Sequence, residues 1–216
     1  MNTKRIIKEA CVETLEQAMN AEKQGANRVE LCGDLSVGGI TPSDALVTAT
    51  VNALSIPIML MVRPRGGDFV YSEQEFDEML HTIERFKAMG VAGVVFGCLT
   101  VDHQIDVAKT RALAVAARPM EVTFHKAFDA LDDQLEGLAV LKKIKGIHRV
   151  LTSGGAATAK QGSAMLIQLI AESKGVITIL SAGKITATNL EEHDAIIGGK
   201  EYHGRLIVGE LTPSDS

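Results

Sequence analysis

The sequence lacks several features that would place it in a specialised class of protein. It has no run of the roughly 18 apolar residues that a membrane-spanning helix requires. The first five residues lead into a predicted strand without the apolar core of a signal peptide. Its formal net charge of −5 and the lack of a basic stripe argue against nucleic-acid binding. We therefore expect neither a membrane protein nor a nucleic-acid-binding protein.

Cysteine is also scarce, with only Cys11, Cys32 and Cys98 in 216 residues. These cysteines are widely spaced, and no CxxC or HxxxH spacing typical of a zinc module is present. In a cytosolic chain they would be reduced thiols rather than a disulfide framework. The remaining composition, 46% apolar and 23% charged, fits one domain with a sizeable core rather than a disordered chain.

Short apolar strands alternate with helical patterns along the whole chain. Strands are predicted at about residues 6–13, 28–32, 57–63, 93–97, 121–125, 149–152, 176–181 and 201–203. Helices are predicted at about residues 14–23, 41–54, 72–90, 105–117, 131–144, 158–173 and 189–196. Thr41 is predicted to cap the second helix and Ser72 the third, each with an acidic residue three positions on.

Strict alternation implies a parallel sheet, and eight repeats imply a closed (β/α)8 TIM barrel in a single α/β domain, residues 1–216. An open doubly wound sheet is the alternative, although it usually has fewer strands. The segment after Gly204 is too short for a full eighth outer helix. Because exposed apolar barrel surface is usually covered, we expect a homo-oligomer, such as a dimer, to form there.

The predicted strands carry apolar side chains on one parity and polar or reactive ones on the other. Val29, Leu31, Val122 and Phe124 fit the outward parity, which packs under the helices. The inward parity comprises Glu9, Cys11, Glu30, Cys32, Met59, Met61, Arg63, Thr123 and His125. A barrel interior is normally aliphatic, and a buried carboxylate costs several kcal/mol unless it is paired. This pattern indicates either a structural ion-pair network or a functional site at the barrel mouth.

Two thiols of the inward parity form a candidate metal site. Cys11 and Cys32 lie on strands predicted to be neighbours, about 4.8 Å apart. Thiolate is a soft ligand that favours Cu(I) over hard cations. The alternative is that each cysteine is a small buried apolar side chain.

Carboxylates and imidazole of the same parity form a candidate catalytic set. Glu9, Glu30 and His125 suit acid–base chemistry, with His203 of the last strand as a further member. Carboxylate and imidazole groups together can equally bind a divalent ion.

Anion-binding groups follow several of the strands. Arg63 and Arg65 flank a proline and suit a carboxylate or phosphate, unless they pair with Asp68 or Glu30. Small residues after strands six and seven leave backbone N–H groups free for an anion, as barrels often do near strands seven and eight. These residues are Ser153, Gly154, Gly155 and Gly183. Tight turns also require glycine, so each motif has a structural alternative.

Four segments in order resemble the CutC family of copper homeostasis proteins. They are RVELCGDLSVGGITPS (28–43), VRPRGGDFVYS (62–72), TFHKAFD (123–129) and RVLTSGG (149–155). The resemblance implies a cytoplasmic (β/α)8 barrel linked to copper handling, with Cu(I) as its ion on Cys11 and Cys32. A pure copper carrier does not need a cluster of carboxylate, arginine and imidazole. A barrel enzyme acting on a small anionic or phosphorylated metabolite is therefore the alternative function.

Overall fold

The computed structural model describes residues 6–212, which form a closed barrel of eight parallel strands in chain order. The strands are β1 (Ile7–Val12), β2 (Arg28–Leu31), β3 (Ile58–Met61), β4 (Gly93–Phe96), β5 (Glu121–Phe124), β6 (Arg149–Thr152), β7 (Thr178–Ser181) and β8 (Glu201–Gly204). The helices are α1 (Leu15–Lys23), α2 (Asp44–Ala53), α3 (Glu73–Ala88), α4 (Val107–Ala116), α5 (Gln134–Leu141), α6 (Ser163–Ser173) and α7 (Leu190–Ile197). Two short 3-10 helices, Leu35–Val37 and Lys126–Ala130, follow β2 and β5. The predicted TIM barrel is confirmed.

The barrel closes where β1 pairs with β8. Glu9 is the register partner of His203 across that junction, and Cys11 is the partner of Glu30 on the other side of β1. Residues from the two ends of the sequence therefore share one level of the barrel interior.

The predicted strand parity is confirmed by how the core divides. The larger apolar cluster lies between the barrel and the helices and contains outward residues such as Val29, Leu60 and Phe124. A smaller cluster inside the barrel includes Cys11, Cys32, Met59 and Met61. Successive strand residues face opposite sides of a sheet. The polar residues that share the parity of this inner cluster therefore point toward the barrel axis.

One of the two predicted helix caps is correct. Ser72 caps α3 in a complete capping box with Glu75. The prediction for Thr41 is wrong, because α2 begins two residues later than predicted and Ser43 provides its cap. The Thr41 hydroxyl instead accepts a hydrogen bond from the backbone N–H of Arg63 at 2.9 Å. That contact ties the loop before α2 to the end of β3.

No helix follows β8 in the described part of the chain, and residues 213–216 lie outside it. The segment after β8 packs across α1 instead. Asn20 donates to the carbonyl of Leu211, and Gln24 donates to that of Glu210, each at 2.8 Å. The homo-oligomeric contact expected beside β8 stays a prediction. Among residues 6–212, no helix is long and apolar enough to cross a lipid bilayer.

The cap of α3 gives a direct test of this fold description. Replacing Ser72 with Ala removes the hydroxyl that accepts from the N–H of Glu75, and should lower the free energy of unfolding by about 1 kcal/mol. Ser163→Ala, at the first turn of α6 where no side chain caps the helix, is the matched control and should have little effect. Urea unfolding followed by circular dichroism measures both variants. Equal effects would contradict the assigned cap.

Candidate functional site

A cavity of about 740 Å³ opens at the C-terminal ends of the strands. Its deep end is formed by side chains from β1, β2, β3 and β8, and its mouth by the loops that follow β2, β3, β7 and β8. The deep residues are Cys11, Glu30, Met61 and His203. This is the end of a (β/α)8 barrel at which active sites are found.

Two carboxylates hold an imidazole at the deep end of the cavity. His203 Nδ1 lies 2.8 Å from Glu9 Oε1, and His203 Nε2 lies 3.7 Å from Glu30 Oε2. Burial opposes the charged imidazolium, but the Glu30 charge and bonds to Cys11 and Glu9 raise the pKa of His203 well above its ordinary value. From the sequence, His203 was only a further member of the candidate catalytic set. The structure places it at the centre, because barrel closure brings β8 beside β1.

The Glu9 carboxylate is held by Arg28 as well as by His203. Its side chain, 1% exposed, forms an ion pair with Arg28. Arg28 in turn binds Glu201 at 2.6 Å, and Arg149 binds the same carboxylate at 2.8 Å. Burial would raise the pKa of Glu9, but Arg28 and His203 together lower it to about 2. Glu9 therefore stays ionised and orients His203, as part of a buried ion-pair network.

Glu30 sits between the imidazole and two thiols. One ligand atom each from Cys11, Glu30 and Cys32 lie within 4.8 Å of one another, and Cys32 Sγ is 3.7 Å from Glu30 Oε2. Burial and the neighbouring Cys11 charge raise the pKa of Glu30 well above its ordinary value. Its Oε1 atom is buried and has no hydrogen-bond partner in the described part of the chain.

The two thiols differ in their protonation. A hydrogen bond from Cys32 outweighs burial and holds the pKa of the Cys11 thiol well below its ordinary value. The same interaction, together with burial and the Glu30 charge, raises the pKa of Cys32. Of the two thiols, Cys11 is therefore the one whose ionisation the surroundings favour. Two adjacent buried sulfurs are a donor set that fits a soft ion such as Cu(I).

His125 lies apart from this cluster, on the β5 side of the cavity. Its Nδ1 accepts the backbone N–H of Ala127 at 3.2 Å, so the neutral ring carries its proton on Nε2. Nε2 is buried without a hydrogen-bond partner in the described residues, and the ring packs 4.9 Å from the ring of Phe69. Burial and the Arg63 charge lower the pKa of His125 to about 3. Among the predicted catalytic residues, the structure joins Glu9 and Glu30 through His203 and leaves His125 separate.

The two arginines predicted to bind an anion lie in different surroundings. Arg63 lines the cavity and donates only to carbonyl oxygens, those of Val37 at 3.1 Å, Gly39 at 3.0 Å and Gly67 at 2.7 Å. No carboxylate of the described residues forms an ion pair with it. Arg65 lies outside the cavity and binds Glu75 at 2.5 Å and Asp68 at 3.0 Å.

The small-residue loop after β6 already holds a carboxylate of the protein itself. Asp129 accepts from the backbone N–H groups of Ser153 at 3.0 Å and Gly155 at 3.0 Å, while the Gly154 N–H donates to the Thr152 hydroxyl. Asp129 also forms an ion pair with Lys126. Asp129 therefore ties the end of β5 to the loop after β6. The sequence does not predict this contact, because the segments after β5 and β6 come together only when the barrel forms.

The loop after β7 remains open toward the cavity. Gly183 lines it with a φ of +108°, and a Cβ there would lie 2.6 Å from the backbone nitrogen of Ala159. Only glycine fits this position. The backbone N–H groups of Gly183 and Lys184 form no hydrogen bond within the described part of the chain. Of the predicted small-residue anion sites, this is the one with free donors at the cavity.

Acid unfolding tests the state of His125. In the unfolded chain its pKa returns to about 6.5, so protonation there favours unfolding as the pH falls from about 6.5 toward 3. Between about pH 7 and pH 4.5 this costs the native state roughly 2 kcal/mol. His125→Asn keeps an acceptor for the Ala127 N–H but does not titrate. Its free energy of unfolding, from urea denaturation at both pH values, should fall less than that of the wild type. Parallel losses would contradict a buried neutral imidazole.

Comparison with known proteins agrees with the fold. The CutC family profile matches residues 6–208. The human copper homeostasis protein cutC homolog is 42% identical over 195 residues, covering 90% of this chain and 71% of that protein. A CutC family protein from Glaesserella parasuis is 41% identical over 184 residues, covering 85% and 75%. The crystal structure of CutC from Streptococcus agalactiae superposes with a TM-score of 0.89 at 31% identity, covering 94% of this chain and 99% of that one. The chain belongs to the CutC family of copper homeostasis proteins.

Proposed function

We propose that this chain handles copper in the cytoplasm and binds Cu(I) through Cys11 and Cys32. The observation that carries the proposal is the pair of buried, neighbouring sulfurs, of which Cys11 lines the deep end of an open cavity. The name of the human relative, copper homeostasis protein, supports copper as the ion.

The chemistry of the two thiols suits this role. A thiolate is the form that binds metal, and the hydrogen bond from Cys32 stabilises the thiolate of Cys11. Soft sulfur ligands select Cu(I), and burial limits access of water and oxidants to the sulfurs. The cavity provides a route by which the ion enters and leaves from one end of the barrel.

Anaerobic titration with Cu(I) against a competing chelator tests this proposal. The wild-type chain should take up about one equivalent of Cu(I), as one two-sulfur site predicts. The Cys11→Ser, Cys32→Ser double variant should lose this binding because hydroxyl oxygen is a poor ligand for a soft ion. Cys98→Ser removes a buried thiol outside the site and is the matched control. Unchanged affinity in the double variant would refute the thiol site.

A second candidate function is an enzyme acting on a small anionic or phosphorylated metabolite. Its support is Arg63, a buried guanidinium that lines the cavity without an ion-pair partner among the described residues. An unbalanced buried charge is costly, so an anionic ligand would stabilise it. The free N–H groups of Gly183 and Lys184 face the same cavity and would contribute further donors.

The acid–base roles in that candidate follow from the contacts. Glu30, with its raised pKa, would transfer a proton to or from the ligand. Glu9 would act through His203 by holding the imidazole in place. His125 would contribute the Nε2–H group as a hydrogen-bond donor to a ligand oxygen.

Phosphate binding measured by isothermal titration calorimetry tests the anion site. Arg63→Met should weaken phosphate binding by roughly 10- to 100-fold, the loss expected for a hydrogen bond to a charged group. Arg111→Met removes an exposed guanidinium on α4 and should change nothing. If phosphate binds wild type and Arg63→Met alike, Arg63 is not an anion-binding residue.

A further inference from the structure

We propose that Cys11, Cys32, Glu30 and His203 together form a four-donor site for a divalent cation of the Zn²⁺ class. This inference rests on the proposed metal-binding role of the two cysteines and extends it to a second kind of ion. It assigns Glu30 and His203 as metal ligands and Glu9 as the residue that positions His203.

The distances between the donor atoms suit one ion. Glu30 Oε2 lies 3.7 Å from Cys32 Sγ and 3.7 Å from His203 Nε2. Cys11 Sγ lies within 4.8 Å of both the carboxylate and the second sulfur. Bond lengths of about 2.0–2.3 Å to zinc place neighbouring tetrahedral ligand atoms roughly 3.3–3.8 Å apart. Two of the six edges already have nearly that length, and Glu30 is the member shared by the sulfur group and the imidazole group. Side-chain rotation that brings the sulfurs and His203 Nε2 closer together would complete the site.

The surroundings of His203 match those of metal-bound histidines. Such a histidine generally donates its second ring N–H to a carboxylate, which fixes the tautomer and aims the free nitrogen at the ion. His203 Nδ1 lies 2.8 Å from Glu9, a carboxylate that Arg28 keeps in place from the opposite side. Nε2 therefore points toward Glu30. This outer arrangement is independent of the thiols.

Glu30 supplies a third, separate indication. Its side chain is 2% exposed, and Oε1 is buried without a hydrogen-bond partner in the described part of the chain. Buried carboxylate oxygens are almost always bonded, because an unpaired one is costly. Glu30 lines the cavity beside Cys11 and His203, so a cation that reaches the deep end would bind this carboxylate.

The mixture of donors selects the class of ion. Cu(I) is satisfied by sulfur alone and makes little use of carboxylate oxygen. Zn²⁺ accepts sulfur, nitrogen and oxygen together in tetrahedral sites. Its double charge also offsets the carboxylate and thiolate better than a monovalent ion does. Four protein donors fill the tetrahedral shell, as in structural rather than catalytic zinc sites.

Co²⁺, a spectroscopic substitute for Zn²⁺, is the probe for the test. The reduced, copper-free chain is titrated anaerobically with Co²⁺, with absorption recorded in the near-ultraviolet and visible ranges. We expect thiolate-to-cobalt charge-transfer absorption together with the intense visible bands of tetrahedral Co²⁺. Glu30→Gln and His203→Gln should each weaken Co²⁺ binding by at least about tenfold and weaken Cu(I) binding much less, because the two sulfurs that bind Cu(I) remain.

Matched controls separate ligand loss from general damage. Cys98→Ser and His193→Gln alter a buried thiol and a buried imidazole outside the cluster and should retain the cobalt spectrum. Circular dichroism checks the folding of each variant. If Glu30→Gln does not fold, Glu30→Asp is used: the shorter carboxylate should shift the visible bands.

The outcomes distinguish this inference from the proposed copper function. Cobalt spectra without thiolate charge transfer, or Co²⁺ affinities unaffected by the Glu30 and His203 variants, would overturn the four-donor site while Cu(I) binding stands. Four-donor Co²⁺ binding without Cu(I) binding would support the inference and remove the copper proposal. Binding of neither ion would overturn both.

Discussion

The contact on which the site depends is the pairing of Glu9 with His203 across the junction between β1 and β8. It occurs at the seam where the first and last strands close the barrel. Arg28 holds the other side of the Glu9 carboxylate, so the imidazole has one fixed orientation. From that orientation follow the position of Nε2 beside Glu30 and, through Glu30, the link to the two thiols.

The polar groups inside the barrel differ between its two ends. Toward the N-terminal ends of the strands, Arg28, Arg149 and Glu201 form ion pairs that are mutually satisfied. Toward the C-terminal ends the groups are not satisfied by one another. In the described residues, Glu30 Oε1 lacks a hydrogen-bond partner, and the Arg63 guanidinium donates to three carbonyl oxygens but forms no ion pair. Unbalanced groups at one end and balanced groups at the other are the physical reason to place function at the cavity.

The fold could be read from the sequence because each strand and helix carries its own local pattern. Strand parity also placed Cys11, Glu30 and Cys32 on one face, and the structure agrees. Parity gave no information about which loops meet above the barrel. No sequence pattern near Asp129 indicates that its carboxylate accepts hydrogen bonds from the N–H groups of Ser153 and Gly155. The sequence around Arg65 likewise does not indicate its ion pair with Glu75.

The central role of His203 was equally hard to foresee. Residue spacing separates it from Glu9 by almost the whole chain, and only closure makes the two neighbours. His125, by contrast, follows β5 directly and was predicted to be catalytic. Its Nδ1, however, accepts a hydrogen bond from the backbone N–H of Ala127. This short-range hydrogen bond leaves only Nε2 of His125 free to contact a ligand, and the sequence alone does not reveal it.

The chain belongs to the CutC family of copper homeostasis proteins, and our proposal assigns Cu(I) to the two buried thiols. The most direct test is an anomalous-scattering crystal structure of the chain loaded anaerobically with metal. We expect a single anomalous peak at the deep end of the cavity, within about 2.5 Å of both Cys11 Sγ and Cys32 Sγ. A peak at any other position, or none despite full occupancy in solution, would contradict it.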